Sequence, residues 1–187
     1  MMTRKIQVIA GSVRPTRICL DVAGWVMDQA PAGLELEPVD LADWPLPLDA
    51  EPGIPQRDGY TQALTQAWSR KIAEADGYVF VTPQYNWGYP AALKNALDHL
   101  YGEWTGKPAA IVSYGFHGGD KCAAQLRQVL QGLRMRPAAT MPALSLPDEL
   151  KAVGARFGDP ALLFADVAPA VRRAFDELRM LLAEPAT

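Results

Sequence analysis

The sequence predicts an α/β fold in which a doubly wound parallel sheet carries helices on both faces. Short apolar runs that suit buried strands alternate five times with stretches whose apolar residues recur every three or four positions, as on one face of a helix. Such alternation favours parallel strands joined by right-handed crossovers. The chain has 187 residues, 49% of them hydrophobic, and no repeat or interdomain linker, so we expect one domain over residues 1–187.

Five strands are predicted from apolar runs. The third and fourth are continuous, which is typical of strands whose two faces are both covered. The fifth follows the fourth helix. The predicted strands are Lys5–Ala10, Leu34–Val39, Gly77–Thr82, Pro108–Tyr114 and Met135–Thr140.

Five helices are predicted from apolar spacing between and after these strands. Pro31 and Gly33 end the first helix, and Pro90 suits the first turn of the third. Four prolines between Asp43 and Gly59 exclude a helix or central strand there and predict a long ordered loop. The helical stripes are Ile18, Val22, Trp25 and Val26; Leu64, Trp68, Ile72 and Ala75; Leu93, Leu97, Leu100 and Tyr101; Cys122, Leu126, Val129 and Leu133; and Val171, Phe175, Leu178 and Leu182.

Composition argues against several classes of function. A net charge of -3 and a pI near 5.4 do not favour nucleic acid as a partner. No run approaches the roughly 20 apolar residues of a membrane span, and the apolar run of the opening segment is too short for a secretory signal. Only Cys19 and Cys122 are present, too few for a disulfide framework or a structural zinc site, and both are predicted to be small core residues. We expect no bound metal and a reducing, cytoplasmic location.

A sheet of this kind binds its ligand beyond the carboxyl ends of the strands, where the strand order reverses. Three loops should meet there: Gly11–Arg17, Pro83–Tyr89 and Ser113–Gly119.

The first loop, GSVRPTR, suits a terminal monophosphate. It opens a helix, whose free amide groups favour an anion, and it offers two hydroxyls and two guanidinium groups. Gly11 is its only glycine, so a dinucleotide is disfavoured, and the lysine-bearing pattern for nucleotide triphosphates is absent. The alternative is a plain turn with solvated arginines.

The second loop suits a planar ring system. Tyr85 and Trp87 offer aromatic faces, Pro83 and Gly88 shape the backbone, and Asn86 can bond a heteroaromatic edge. The alternative for Trp87 is an interface or core aromatic residue.

The third loop, SYGFHGGD, has the glycines needed to bring backbone N–H groups close to a ligand edge, although a tight turn would need them too. His117 is a candidate proton donor, and the alternative is a histidine that faces solvent.

Three segments, GSVRPTR, TPQYNWGYPAALKNALDHLYGEW and VSYGFHGGDKCAAQLR, resemble the NAD(P)H-dependent FMN reductase family of flavodoxin-like quinone and azo-dye reductases. The resemblance extends from about Lys5 to Thr140, and its most specific part is the turn PQYN followed by a helix that bears LKNALD. It implies a flavodoxin-like five-stranded sheet in the order 2-1-3-4-5, FMN bound noncovalently, and NADPH or NADH as co-substrate.

The resemblance also implies where the cofactor binds. Many relatives carry Glu where Gln84 stands, a difference that removes a potential charge beside the flavin, and the match at Gly118 and Gly119 is looser. The residues implied for the phosphate are Ser12, Arg14, Thr16, Arg17 and Ile18; those implied for the flavin ring are Pro83, Gln84, Tyr85 and Asn86, with Ser113, Tyr114, Gly115 and Gly118 near its pyrimidine end. Trp87 is added to the ring site for its aromatic face, as argued above for the second loop.

The implied activity passes hydride from a nicotinamide to FMN and then two electrons to a quinone or similar small acceptor. FMN would supply the redox chemistry, so no catalytic side chain is assigned. Two alternatives are an electron-carrying flavodoxin or flavin-loaded interaction module, and a domain that has lost its ligand. A carrier usually presents a strongly acidic docking face, and the charge of -3 argues against one. The resemblance further implies a homodimer or a dimer of dimers, with Trp87, Tyr101 and Trp104 buried between subunits.

Overall fold

A computed structural model describes residues 3–48 and 51–184. Its centre is a six-stranded parallel sheet in the order β2-β1-β3-β4-β5, with β6 also paired to β4. The predicted fold class and strand order are confirmed. The strands are β1 (Arg4–Ala10), β2 (Leu34–Asp40), β3 (Gly77–Pro83), β4 (Pro108–Gly115), β5 (Arg136–Pro137) and β6 (Ala143–Ser145).

Helices cover both faces of the sheet. On one face α1 and α6 pack against alternate residues of β1, β3 and β4, such as Val8 and Val79; on the other α2, α3 and α4 pack against the intervening residues, such as Phe80 and Ile111. Because both faces are covered, every residue of β3 and β4 is buried. The helices are α1 (Cys19–Asp28), α2 (Ala63–Ala73), α3 (Ala91–Asp98), α4 (Asp120–Gly132), α5 (Pro160–Leu163) and α6 (Ala168–Ala183).

The fifth predicted strand, Met135–Thr140, is wrong as a continuous element. The edge of the sheet contains two short strands instead, β5 and β6, which both pair with β4. Pro137 and Pro142 carry no backbone N–H, so neither can donate to a neighbouring strand. The chain leaves the edge between them and returns at Ala143, which aligns with Ser113 near the carboxyl end of β4.

Three short elements were not predicted from helical spacing. They are α5 and two 3₁₀ turns, at Leu41–Asp43 and Asp148–Lys151; α5 and the second turn lie in the connection between β6 and α6. Each is too short to show the periodicity by which helices are recognised.

The proline-rich loop is fixed from α3. Asn95 donates from Nδ2 to the carbonyl of Leu46 (2.9 Å), and His99 donates from Nε2 to the carbonyl of Pro47 (2.9 Å). The other nitrogen of His99 lies 3.0 Å from the hydroxyl of Thr65 on α2. Residues 49 and 50 of the predicted 43–59 loop lie outside the described residues.

Several predictions about single residues can be compared with the fold. Cys19 and Cys122 are free and fully buried, which confirms them as core residues. Trp104, which we expected at a subunit interface, is fully buried within one chain, so that expectation is wrong; its indole N–H donates to the carbonyl of Leu97. Among the described residues, no helix is both long enough and apolar enough to cross a membrane.

Candidate functional site

A crevice opens beyond the carboxyl ends of β1, β3 and β4, where the three predicted loops meet. Its volume is about 430 Å³, which is within the range of small-molecule and cofactor sites. The crevice lies at the topological switch point between β1 and β3. From there the chain adds β2 on one side of the sheet and β4 on the other.

Ten of the fourteen predicted site residues line this crevice. The other four, Ser12, Trp87, Ser113 and Gly118, do not lie on its wall. The ten are Arg14, Thr16, Arg17, Ile18, Pro83, Gln84, Tyr85, Asn86, Tyr114 and Gly115.

The first loop leaves β1 at Gly11, whose N–H donates to the carbonyl of Val81 on β3 (2.9 Å). Ser12 is fully buried, and its hydroxyl lies 2.8 Å from the hydroxyl of Tyr85, so it joins the first loop to the second. The guanidinium of Arg14 lies 3.9 Å from the centre of the Tyr85 ring and is held there by a cation–π contact.

Two partners hold the guanidinium of Arg17 in place. Its guanidinium forms an ion pair with Asp40, the last residue of β2, and donates to the carbonyl of Arg14 (3.1 Å). Both charged side chains are mostly buried, with 16% and 15% of their surfaces exposed. The Nε of Arg17 is buried and has no hydrogen-bond partner among the described residues. A buried donor without a partner is costly, and an anion in the crevice would satisfy it.

The second loop turns sharply between Tyr85 and Gly88, which exchange both of their backbone hydrogen bonds (2.8 and 2.9 Å). Asn86 and Trp87 occupy the centre of this turn with φ of 49° and 70°. A tryptophan in this left-handed region is unusual and strained. Its side chain is 64% exposed, with the Lys121 ammonium 5.0 Å from its ring centre, so the structure excludes a core role for Trp87.

Gln84 joins the second loop to the third. Its side-chain oxygen accepts from the N–H of Cys122 in the first turn of α4 (3.2 Å), a helix that begins at Gly119 without a side-chain cap of its own. Its backbone N–H donates to the carbonyl of Tyr114 (2.8 Å). Gln84 thus takes the position of a capping residue, which a neutral amide oxygen can fill.

The third loop turns tightly at Gly115, whose carbonyl accepts from the N–H of Gly118 (3.1 Å). A Cβ at Gly115 would lie 2.5 Å from the carbonyl oxygen of Gly118, so only glycine fits there. Gly118 itself has a φ of 70°. His117 is exposed and does not line the crevice.

A fourth wall, which was not predicted from sequence, closes the crevice. It comes from the connection after β6. The proline-rich loop supplies none of the described lining residues. The residues of the fourth wall are Leu146, Leu150, Lys151, Ala152, Val153, Gly154 and Ala155, and Phe116 lines the crevice beside them.

The charged side chains on the crevice wall are all cationic. They are Arg14, Arg17 and Lys151, and the described lining contains no acidic residue, in a chain whose net charge is -3. This concentration of positive charge favours an anionic ligand.

Two buried groups beside the site are unreactive. Burial raises the pKa of the Cys122 thiol to about 12 and that of the Cys19 thiol above its ordinary value, so neither is a thiolate near neutral pH. Burial also raises the pKa of the Tyr114 hydroxyl well above its ordinary value, so Tyr114 faces the crevice as a neutral group.

Comparison with known proteins gives a consistent result. The family model described as NADPH-dependent FMN reductase matches residues 4–145. An NAD(P)H-dependent FMN reductase of Schizosaccharomyces pombe is 54% identical over 184 residues, which cover 96% of this chain and 91% of the relative. A quinone reductase of Escherichia coli is 38% identical over 138 residues, which cover 69% of this chain and 71% of the relative.

Solved structures agree on the fold. The flavoenzyme NAD(P)H:(acceptor) oxidoreductase FerB from Paracoccus denitrificans superposes with a TM-score of 0.71 at 23% identity, covering 95% of this chain and 98% of the other.

Proposed function

Because the chain belongs to the NADPH-dependent FMN reductase family, we propose that the crevice beyond β1, β3 and β4 is its FMN site. The chain is a flavin-dependent NAD(P)H oxidoreductase that uses FMN and NAD(P)H. Arg14, Thr16 and Arg17 would hold the phosphate. The loops at Gln84–Asn86 and Tyr114–Gly115 would hold the ring system.

The observation that carries this proposal is the buried Nε of Arg17, a donor that has no partner in the described part of the chain. Arg17 lines a crevice whose described charged side chains are all positive. A terminal phosphate accepts several charge-assisted hydrogen bonds at once and would neutralise these cations. The opposite wall is tyrosine, amide and glycine, which suits a flat ring with polar edges. The residues present therefore fit FMN.

When bound, FMN supplies the hydride and electron chemistry, and the protein supplies binding and orientation. The buried floor at Pro83 and Tyr114 excludes water from one side of the crevice. The tight turn at Gly115 brings the backbone to the wall of the crevice. Backbone N–H groups there would stabilise negative charge on the bound ring. The exposed turn at Asn86 and Trp87 lies beside the crevice lining and would border the path of the nicotinamide to the flavin.

The electron acceptor is a quinone or a similar flat, electron-poor molecule. Next to the fourth wall, the crevice has an apolar lining formed by Phe116, Leu150 and Val153, and Lys151 lies beside them. Apolar lining with a few polar groups is the usual composition of sites for small organic molecules. Relatives named quinone reductase support this acceptor class.

We also propose that the protein is a cytoplasmic homodimer or dimer of dimers. Trp87 is exposed next to Asn86, which lines the crevice, and Tyr101 is half-buried, so a second copy could cover both. Two free thiols suit a reducing compartment. Light scattering at micromolar concentration tests the assembly, and a monomer would refute it.

The test of the function is a flavin titration followed by turnover. Apoprotein should quench the fluorescence of FMN and bind FMN more tightly than riboflavin, which lacks the phosphate. NADPH or NADH should bleach the bound flavin without oxygen, and menadione should restore its colour and sustain NAD(P)H oxidation. Equal affinity for FMN and riboflavin would refute the phosphate site. Bleaching without turnover on any small quinone would favour the electron carrier.

A further inference from the structure

One wall of the crevice lies beyond the part of the chain that the family model matches. The family model ends at residue 145, whereas Leu146 and residues 150–155 line the crevice. Residues 146–156, here called the cap segment, therefore contribute to the site from outside the matched pattern.

The cap segment is anchored at both ends to the loops that the cofactor would contact. At its start, the N–H of Leu146 donates to the carbonyl of Gly115 in the third loop (2.9 Å). At its end, Arg156 donates to the carbonyl of Thr16 in the first loop (3.1 Å), and its Nε lies 3.8 Å from a carboxylate oxygen of Asp21. The cap segment thus connects the ring end of the crevice to its phosphate end.

An aromatic stack holds the chain just after the cap segment. The ring of Phe157 lies 5.6 Å from that of Phe164, which lies 5.0 Å from that of Trp25 on α1. Phe164 and Trp25 are buried in the core. These aromatic contacts, which are tilted and edge-on, fix the backbone after Arg156. The side chain of Arg156 therefore loses little additional conformational freedom when its guanidinium reaches Thr16.

The middle of the cap segment is held by contacts within itself and with one neighbour. The N–H of Leu150 donates to Pro147, the N–H of Ala155 donates to Ala152, and Lys151 pairs with Asp148 (2.7 Å). The ammonium of Lys151 also lies 5.5 Å from the ring centre of Phe116. Val153 is 94% exposed. A stretch with firm ends and few contacts in between is able to open locally without unfolding the sheet.

We propose that the cap segment is a fourth FMN-binding element, which retains the cofactor, and that Arg156 is the positioning residue that latches it to the phosphate loop. This inference rests on the proposed function of the same crevice. Thr16 is central to this proposal, because Thr16 lines the crevice and its backbone carbonyl accepts a hydrogen bond from Arg156. Lys151 adds a third cation facing an anionic cofactor. FMN then leaves only when the cap segment lifts, so the latch sets its rate of release.

The first experiment measures FMN release from the loaded protein, followed as the recovery of free flavin fluorescence after dilution. R156A should release FMN about three- to tenfold faster, the range expected from losing one exposed ionic contact and its hydrogen bond. R156K keeps a cation that can donate to the Thr16 carbonyl and should recover most of the residence time. R172A is the matched control, because Arg172 is also exposed and donates to Gln29, away from the crevice.

The second experiment uses trypsin on the wild-type protein, because Lys151 and Arg156 are both trypsin sites. FMN should slow cleavage at these two positions and leave cleavage at Arg57 unchanged, since Arg57 is exposed in the proline-rich loop and does not line the crevice. This readout is independent of enzyme activity.

The outcomes separate the cap segment from the proposed function. Normal FMN binding by wild type, with unchanged release from R156A and cleavage at Lys151 that ignores FMN, would overturn the inference and leave the proposed function intact. Failure of the wild type to bind FMN at all would overturn both. A lower melting temperature of R156A apoprotein, with unchanged FMN release, would show a purely structural role and also overturn the inference.

Discussion

The ion pair between Arg17 and Asp40 allows stability and cofactor binding to be separated by mutation. R17A removes a guanidinium that pairs with Asp40, donates to the carbonyl of Arg14 and carries the unpartnered Nε. D40N keeps an oxygen that can accept from the N–H of Ala42, as Asp40 does at 3.0 Å, but removes the charge. We therefore expect the double variant R17A/D40N to be more stable than R17A but to bind FMN as weakly as R17A does.

The stability of R17A should fall because Asp40 is left as a mostly buried carboxylate without its partner. An unsatisfied charged or polar group of this kind costs about 1–3 kcal/mol. For a chain of this size the melting temperature of the apoprotein should fall by about 2 to 10 °C. Adding D40N removes the stranded charge and should restore a large part of this loss.

FMN binding by R17A should fall for a different reason, the loss of a charge-assisted hydrogen bond to phosphate. Such a bond contributes about 1.5–3 kcal/mol, which corresponds to roughly 10- to 150-fold weaker binding. R17A/D40N lacks the same guanidinium and should bind FMN as weakly as R17A. Riboflavin has no phosphate, so its affinity should change little in either variant.

The assay is a flavin fluorescence titration of each apoprotein beside a thermal melt without flavin. The reasoning would be refuted if R17A kept the wild-type ratio of FMN to riboflavin affinity, or if R17A/D40N regained FMN binding along with stability. D40N alone should retain more FMN affinity than R17A, because the guanidinium is still present.

Three further predictions concern the surrounding structure. G115A should weaken FMN binding and lower the melting temperature, because its methyl group would lie 2.5 Å from a carbonyl oxygen three residues on; a variant with wild-type FMN affinity would contradict the tight turn. Thiol titration of the native protein should detect neither Cys19 nor Cys122 until it is unfolded, since burial raises both thiol pKa values. Partial burial alone would raise the pKa of Glu177, but hydrogen bonds from Thr140 lower this pKa overall. The ionised Glu177 therefore stabilises the fold fully above about pH 4.3, and this stabilisation is lost as the pH falls further. Thermal melts should show the difference in melting temperature between wild type and E177Q shrinking in acid.

Much of the fold could be predicted because its strands and helices have strong periodic patterns. β3 and β4 are continuous apolar runs, and α3 and α4 carry regular stripes, so local sequence and tertiary burial agree. The fifth strand could not be predicted as it is, since pairing with β4 stops after Pro137 and resumes only at Ala143, beyond the predicted run. The position of Trp104 was also predicted wrongly. Its place in a connection between a helix and a strand does not show whether the side chain faces the core or the surface.

The candidate site divides in the same way. Loop residues next to strand ends could be placed at the crevice because the topology brings those ends together. The sequence did not reveal that Ser12 would be buried against the hydroxyl of Tyr85, or that Gln84 would cap α4. Both depend on distances between residues that are far apart in the chain.

What the amino-acid sequence determined by itself was the alternation of elements and the chemistry of three loops, because periodicity and turn residues act over a few neighbouring positions. Only the tertiary structure decided that Asp40 fixes Arg17 and that residues 146–156 form a fourth wall from Gly115 to Thr16. Those contacts join residues as many as 140 positions apart. They exist because the sheet and its helices bring the ends of distant segments to one rim, which no local pattern records.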